Sequence, residues 1–198
     1  MSDISIKRFN ERERFYEIIG GEKYVPPSPN LNHNETIQNL MELFKNILGK
    51  QNYKYYGEFV DVVLDNKHTV QPDFKIVGDF SKIADGKNIK GAPDFIVEVL
   101  SPSNSSHDLI TKKNLYQKHG VKEYWIVDIS NKNVYVYLLE NGAYDDPNIY
   151  HYFTDEEIEE IENDFNDYLK EQIKIKEIIT HTFGDEIRVP LNKIFENI

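Results

Sequence analysis

The stretch GAPDFIVEVLSPS, Gly91 to Ser103, decides the fold of this chain of 198 residues. It contains a short apolar run of the kind that becomes a buried strand, made of Phe95, Ile96, Val97, Val99 and Leu100. Glu98 interrupts the run, and no basic residue follows it before Lys112. A carboxylate inside a buried strand costs free energy unless a partner compensates its charge. Glu98 is therefore the first residue whose role has to be explained.

The sequence around this strand predicts further strands and helices in one domain, 1–198. A helix is predicted from about 32 to 48, since its apolar residues recur at helical spacing and Gly49 follows. A second helix is predicted between the cap residues SPSNSSHD and Gly120. Strands are predicted at 15–25 (a pair turning at Gly20-Gly21), 55–65, 70–79, 93–101, 123–130, 133–141, 173–180 and near the C-terminus. This order indicates an α/β or α+β fold.

Composition limits the classes of function. The chain has no cysteine, which excludes disulfides and thiolate metal sites. No apolar run is long enough to cross a membrane, and the charged N-terminus lacks the features of a signal peptide, so we expect a cytoplasmic protein without a membrane partner. The net charge of −11 by itself would argue against binding nucleic acid, whose phosphates are contacted by Lys and Arg, but the distribution of the charge weakens that argument.

Most of that charge lies in one segment. Thr154–Glu171 contains nine acidic residues and one lysine, so the rest of the chain carries only −3. Thr154 and Glu157 form the capping-box pattern T-x-x-E, and Ile158, Ile161, Phe165 and Leu169 are expected on one face of an acidic helix. A solvated helix face is the simplest interpretation; mimicry of DNA or docking of a basic partner are the alternatives.

Two carboxylates are expected to meet near the strand that contains Glu98. Because alternate residues of a strand share a face, Asp94 and Glu98 point the same way, and Asp73 shares a face with Lys75 in the preceding strand. If the two strands are neighbours, Asp73 and Glu98 converge, and a proton or cation between them would relieve their repulsion. Oxygen ligands without cysteine suit a hard ion, Mg²⁺ or Mn²⁺.

The following helix supplies a basic group. Leu109, Lys112 and Tyr116 lie on one stripe, so Lys112 could point inward and stabilise negative charge on a phosphate. Each residue also has a plain structural explanation. Glu98 could be a buried carboxylate paired with a lysine or a tyrosine hydroxyl, Asp73 a turn residue, and Asp108 with Lys112 a surface ion pair.

Several motifs together resemble a known family. These motifs are Pro72-Asp73, Pro93-Asp94, Glu98–Ser103 (EVLSPS), Asp108 with Lys112 and Tyr116, Gly120–Asp128 (GVKEYWIVD), and Tyr16–Glu22 (YEIIGGE). This pattern resembles the Uma-type family of restriction-endonuclease-like proteins within the PD-(D/E)XK nuclease superfamily. The resemblance runs from about Phe15 to Tyr144, and 154–172 looks like an acidic helical insertion relative to the family.

The resemblance implies a restriction-endonuclease-like core, with a mixed central β-sheet flanked by helices, and a Mg²⁺ or Mn²⁺ site that hydrolyses DNA. By position, Asp73 and Glu98 would be metal ligands and Lys112 would replace the motif lysine, because the position two after Glu98 is Leu100. Glu17 would be an extra metal ligand. His33, Asp94 and Tyr116 are further candidate neighbours of the site.

The leading hypothesis from the sequence is a metal-dependent endodeoxyribonuclease with DNA as its partner and no organic cofactor. The alternative is a catalytically inactive module that uses the nuclease fold to bind nucleic acid or protein. The superfamily's habits and exposed strand edges suggest a homodimer.

Overall fold

The computed structural model describes residues 16–26, 28–49, 51–100, 106–164 and 166–198, with the backbone alone at 106–108. The helices are α1 (Leu31–Leu48), α2 (Ser106–His119), α3 (Asp155–Glu162), α4 (Asp167–Gln172) and α5 (Leu191–Ile194). The strands are β1 (Glu17–Ile19), β2 (Glu22–Tyr24), β3 (Lys54–Tyr56), β4 (Val62–Asp65), β5 (His68–Val70), β6 (Phe74–Val77), β7 (Ile89–Lys90), β8 (Phe95–Leu100), β9 (Glu123–Asp128), β10 (Asn133–Glu140), β11 (Ala143–Tyr144), β12 (Asn148–His151), β13 (Glu177–Thr180) and β14 (Ile187–Pro190).

The main sheet has seven strands in the order β11-β10-β9-β8-β6-β3, with β12 also paired to β10. Strands β8 and β9 are parallel, whereas β6 and β8 are antiparallel, so the sheet is mixed. A second, five-stranded sheet has the order β2-β1-β5-β4-β7, and β13 pairs with β14 in a separate hairpin. The predicted class, a mixed sheet flanked by helices, is confirmed.

The two faces of the main sheet are covered by different elements. On one face, Phe44 of α1 packs against the aromatic residues Phe95 and Trp125 of the central strands. On the other face, Tyr116 of α2 packs against Tyr124, in a cluster that includes residues of the smaller sheet. Side chains of β8 alternate between these two cores, as the period of a strand requires. By this alternation, the side chain of Glu98 lies on the face of the sheet that α2 covers.

Two strands predicted as continuous are interrupted, and both interruptions shape the cleft described below. The stretch 55–65 was predicted as one strand; instead β3 ends at Tyr56 and β4 begins at Val62, with Phe59 at a φ of 60°. That backbone conformation is incompatible with an extended strand. The stretch 70–79 is divided between β5 and β6 around Pro72, which has no amide hydrogen for the sheet.

The acidic segment also differs from its prediction. The capping box of Thr154 and Glu157 is confirmed, but the helix it starts, α3, ends after eight residues and α4 follows separately. The predicted apolar stripe is therefore divided between two short helices, and Phe165 lies outside the described residues. The helix caps predicted at 101–105 and the side chain of Asp108 also lie outside them. Among the residues described, no helix combines the length and apolar character needed to cross a membrane.

Candidate active site

A cleft opens where the smaller sheet, α1, α2 and the middle of the main sheet approach each other. Its lining is rich in carboxylates, and also holds one histidine and one lysine; the lining residues are Glu17, Pro26, Pro29, His33, Glu58, Phe59, Gln71, Asp73, Glu98, Val99 and Lys112. Convergent polar groups in one concave surface are typical of a binding or catalytic site. Four of the residues predicted from the sequence as catalytic or metal-binding lie here: Glu17, Asp73, Glu98 and Lys112.

The strand register explains why Asp73 and Glu98 reach the same cleft. Phe74 of β6 pairs with Val97 of β8 in an antiparallel register, so the residue before Phe74 lies across from the residue after Val97. Asp73 is fixed in this position because its Oδ2 accepts a hydrogen bond of 2.7 Å from the backbone N–H of Val99. The two carboxylates therefore approach from neighbouring strands.

Glu98 is almost completely buried and has two strong partners. Its Oε1 accepts hydrogen bonds from the Tyr116 hydroxyl, at 2.6 Å, and from Lys112 Nζ, at 3.0 Å. Burial raises the pKa of Glu98 above its ordinary value, although the charge of Lys112 acts in the opposite direction. Both partners that a purely structural glutamate would need are present. Tyr116, itself fully buried, lies behind Glu98.

Lys112 connects two acidic groups of the cleft. Its Nζ lies 3.0 Å from Glu98 Oε1 and 3.0 Å from Glu17 Oε1. Burial alone would lower the pKa of Lys112, but the carboxylates around it, Glu98 first, outweigh that effect and raise the pKa above its ordinary value. Lys112 therefore carries a positive charge at neutral pH. Glu17 is held in turn by the backbone N–H of Gln71, at 2.8 Å, which links β1 to the end of β5.

On the other side of Asp73, the cleft contains His33 and Glu58. His33 lies in the first turn of α1, where the side chain of Asn30 accepts a hydrogen bond from the His33 backbone N–H and caps the helix. The ring Nε2 is 3.2 Å from Asp73 Oδ2, and Nδ1 is 3.6 Å from Glu58 Oε1. Burial lowers the pKa of His33, but its hydrogen bond to Asp73 and the surrounding acidic charges raise it more.

Three of these side chains can surround one cation. One ligand atom each from His33, Glu58 and Asp73 lies within 4.8 Å of the others. The buried Nδ1 of His33 has no hydrogen-bond partner among the described residues, which leaves a donor or acceptor site unused in the cleft. Carboxylate oxygens suit Mg²⁺, and Mn²⁺ also accepts imidazole nitrogen, so the residues present fit a divalent ion of this kind.

Sequence reasoning did not assign a role to Glu58 or to Lys75. Glu58 reaches the cleft because the chain leaves the strand direction at Gly57–Phe59, which was predicted as continuous strand. Lys75 is fully buried beneath the site and donates a hydrogen bond of 2.7 Å to the Pro72 carbonyl. Burial lowers the pKa of Lys75 to about 8. Lys75 shares a strand face with Asp73, and this position in the sequence could have identified it as a residue beside the site.

Asp94, predicted as a neighbour of the site, is not among the residues that line this cleft. Its Oδ2 accepts a hydrogen bond of 2.8 Å from the Gly78 backbone N–H, and its Oδ1 one of 2.6 Å from Lys122 Nζ. Asp94 shares a face with Glu98, but four residues along a strand correspond to about 13 Å. The shared face is therefore no indication of a shared site.

Comparison with known proteins identifies the family of this chain. The model of the Uma2 family, described as "Putative restriction endonuclease", matches residues 4–169. The chain belongs to this family. The match extends beyond the motifs around 15–144 and includes most of the acidic segment.

A solved structure of another protein has a similar fold. It is the crystal structure of a protein from Anabaena variabilis described as "a putative nuclease belonging to DUF820"; the TM-score is 0.68 and the sequence identity 17%, over 92% of this chain and 90% of the other. At this identity the similarity demonstrates the fold. No curated protein matches the chain.

Proposed function

We propose that this protein is a metal-dependent endonuclease that hydrolyses phosphodiester bonds of DNA in the cleft between α1, α2 and the two sheets. One observation carries the proposal: Glu17, Glu58, Asp73 and Glu98 converge in one cleft with His33 and a single lining lysine, Lys112. This local excess of carboxylates attracts a cation. Family membership supports the class of activity.

Asp73, Glu58 and His33 would hold a Mg²⁺ or Mn²⁺ ion, with Glu98 as a further carboxylate on the opposite side of Asp73. When bound, such an ion polarises a phosphate oxygen and makes a bound water more acidic. The hydrogen bond from the Val99 N–H fixes the orientation of the Asp73 carboxylate, so this metal ligand is already ordered before the ion binds.

Lys112 would stabilise the charge that develops on the phosphate. Glu17 and Glu98 are the two carboxylates in contact with its Nζ, and an ammonium group has three donors. The side chain is 14% exposed and lines the cleft, so a phosphate oxygen can approach it. Because its charge is held by two carboxylates, Lys112 is suited to electrostatic stabilisation and unsuited to accepting a proton.

The proposal is tested by cleavage of supercoiled plasmid DNA with Mg²⁺, with Mn²⁺ and with a chelator. Asp73→Asn should lower the metal-dependent rate at least about 100-fold, equivalent to about 2.7 kcal/mol in the barrier. Asp94→Asn is the matched control, since it changes the same residue type next to the same strand pair outside the cleft. Cleavage that does not require metal, or that survives Asp73→Asn, would contradict the proposal.

A second candidate function is a binding module that has kept the nuclease fold without its activity. Glu98 favours it, because this carboxylate is already compensated by Lys112 and Tyr116. The net charge of −11 points in the same direction. A folded wild-type protein that binds a protein or nucleic-acid partner, but cleaves neither DNA nor RNA with either metal, would favour this candidate.

The homodimer remains a prediction. Light scattering coupled to size-exclusion chromatography, with and without duplex DNA, measures it directly.

A further inference from the structure

A second cluster of metal-ligating side chains lies outside the cleft, at the tip of the β4–β5 hairpin. It consists of Asp65 at the end of β4, His68 at the start of β5, and His119 at the last residue of α2. His68 Nδ1 lies 2.7 Å from Asp65 Oδ1, and His119 Nε2 lies 2.9 Å from Asp65 Oδ2. One carboxylate therefore faces two imidazole nitrogens, one with each oxygen.

Both ring nitrogens of His119 face hydrogen-bond acceptors. Its Nδ1 lies 2.9 Å from the carbonyl oxygen of Leu115, and its Nε2 faces the Asp65 carboxylate. Both neighbours accept hydrogen bonds and neither can donate one, whereas a neutral imidazole has only one N–H. The proton of a neutral ring can therefore serve only one of the two acceptors, and a cation at Nε2 would satisfy the other. With the proton on Nδ1, Nε2 is left with the lone pair that a metal requires.

The distances agree with coordination of a metal ion. Zinc binds imidazole nitrogen and carboxylate oxygen at about 2.0–2.2 Å, so two adjacent ligand atoms of one ion lie about 3 Å apart. The two nitrogen–oxygen distances of this cluster, 2.7 and 2.9 Å, involve different oxygens of Asp65 and are close to that size, and one ligand atom from each residue lies within 4.8 Å of the others. A histidine whose other ring nitrogen donates to a backbone carbonyl is also the usual arrangement for a metal ligand, because this bond fixes the tautomer and the ring.

The cluster is pre-organised and open to solvent. The backbone N–H of Lys67 donates to Asp65 Oδ1 at 2.8 Å, which fixes the carboxylate on the hairpin. The side chains of His68 and His119 are 14% exposed and that of Asp65 is 35% exposed, so an ion can enter and water can complete its coordination. The centroids of the His68 and His119 rings are 5.7 Å apart, and the angle between the ring planes is 61°.

We propose that Asp65, His68 and His119 form a binding site for a borderline transition-metal ion, Zn²⁺ in the first instance, separate from the Mg²⁺- or Mn²⁺-type site of the cleft. Two histidines with one carboxylate are a zinc ligand set that leaves a fourth position for water. The bound ion would connect the β4–β5 hairpin to the end of α2, the helix that carries Lys112 into the cleft. Its role is therefore to clamp the smaller sheet to α2.

The test measures zinc binding and does not depend on nuclease activity. Metal-free protein is dialysed against Zn²⁺ and its metal content is determined, for the wild type and for His119→Gln, His68→Gln, His33→Gln and His181→Gln. His33→Gln removes the histidine of the cleft, and His181→Gln changes an exposed histidine outside both clusters. Circular dichroism confirms that each variant is folded. His119→Gln and His68→Gln test the same cluster independently.

The wild type, His33→Gln and His181→Gln should each retain a tightly bound zinc ion and gain thermal stability from Zn²⁺. His119→Gln and His68→Gln should each lose more than about tenfold in zinc affinity, since each removes a ligand. The proposal is overturned if the wild type binds no zinc, because the cluster is then held together by the hydrogen bonds of Asp65 alone. It is also overturned if binding survives both cluster variants, or is lost only in His33→Gln.

Discussion

Two buried glutamates on neighbouring strands of the main sheet have different surroundings. Glu98 of β8 faces α2, whereas Glu123 of β9 pairs with Phe95 across the strands and faces the core under α1. Both are almost inaccessible, with 4% and 0% of their surface exposed. A sequence search for acidic residues in apolar strands would select either one.

The two glutamates differ in their hydrogen-bond partners. Glu123 accepts hydrogen bonds only from neutral groups among the described residues: Trp125 Nε1 at 2.7 Å and the hydroxyls of Thr180 and Thr182. It thereby ties the β13–β14 hairpin to the main sheet. Glu98 contacts the cationic Lys112 and borders a cleft that holds three more carboxylates. Burial of a carboxylate alone therefore does not indicate a functional site. An excess of carboxylates beside an open cleft does.

The largest difference is expected in activity. Glu98→Gln should lower metal-dependent plasmid cleavage at least about 100-fold, because a neutral amide neither binds a hard cation well nor balances Lys112. Glu123→Gln should change the rate by less than about twofold at a temperature where both variants are folded, since it lies on the opposite face of the sheet. Equal losses in the two variants would show that Glu98 acts through the fold rather than through the site.

The second difference is expected in stability. Glu123→Ala leaves the indole N–H of Trp125 and two threonine hydroxyls without their acceptor, and we expect a loss of about 3 kcal/mol in the free energy of unfolding. Urea denaturation monitored by Trp125 fluorescence measures it. Thr182→Ala removes a single donor and serves as the matched control, with an expected loss of about 1 kcal/mol. A loss for Glu123→Ala no larger than this would mean that the hairpin does not depend on Glu123.

The smallest effect concerns pH. Burial raises the pKa of Glu123 in the folded protein, and its three neutral donors oppose this only in part. Because the folded pKa is raised, the stabilising contribution of protonated Glu123 is complete below the unfolded pKa. It is lost as the pH rises through the folded pKa. The free energy of unfolding of the wild type minus that of Glu123→Gln should therefore fall as the pH rises from the ordinary pKa of a glutamate, 4.5, to the raised pKa of the folded protein, by about 1.4 kcal/mol for each unit of the shift. A difference that is constant or rises over this range would contradict the raised pKa.

Much of the fold and part of the site could be predicted from the sequence, because they follow from regular periods. The alternation of a strand places Asp73 and Glu98 on one face, and the spacing of a helix brings Lys112 and Tyr116 to the same stripe. The alternation of a strand gives no distance along it, and Asp94, on the same face as Glu98, contacts Lys122 and does not line the cleft.

The remaining site residues depend on features without a local signal. Glu58 enters the cleft through a positive φ at Phe59, a residue type that rarely adopts it. Asp65 and His119 are 54 positions apart and meet only because the hairpin packs on the end of α2. Such contacts belong to the tertiary structure and cannot be obtained from spacing.

The central claim is that the carboxylates around Asp73 share a divalent cation. A crystal soaked in Mn²⁺ tests it most directly, through the anomalous signal of the metal. We expect a peak in the cleft at a bonding distance of about 2.1 Å from an Asp73 oxygen, with Glu58 or Glu98 as a second ligand. A cleft without a peak at saturating Mn²⁺, with His33 still on Asp73 and Lys112 still on Glu98, would contradict it.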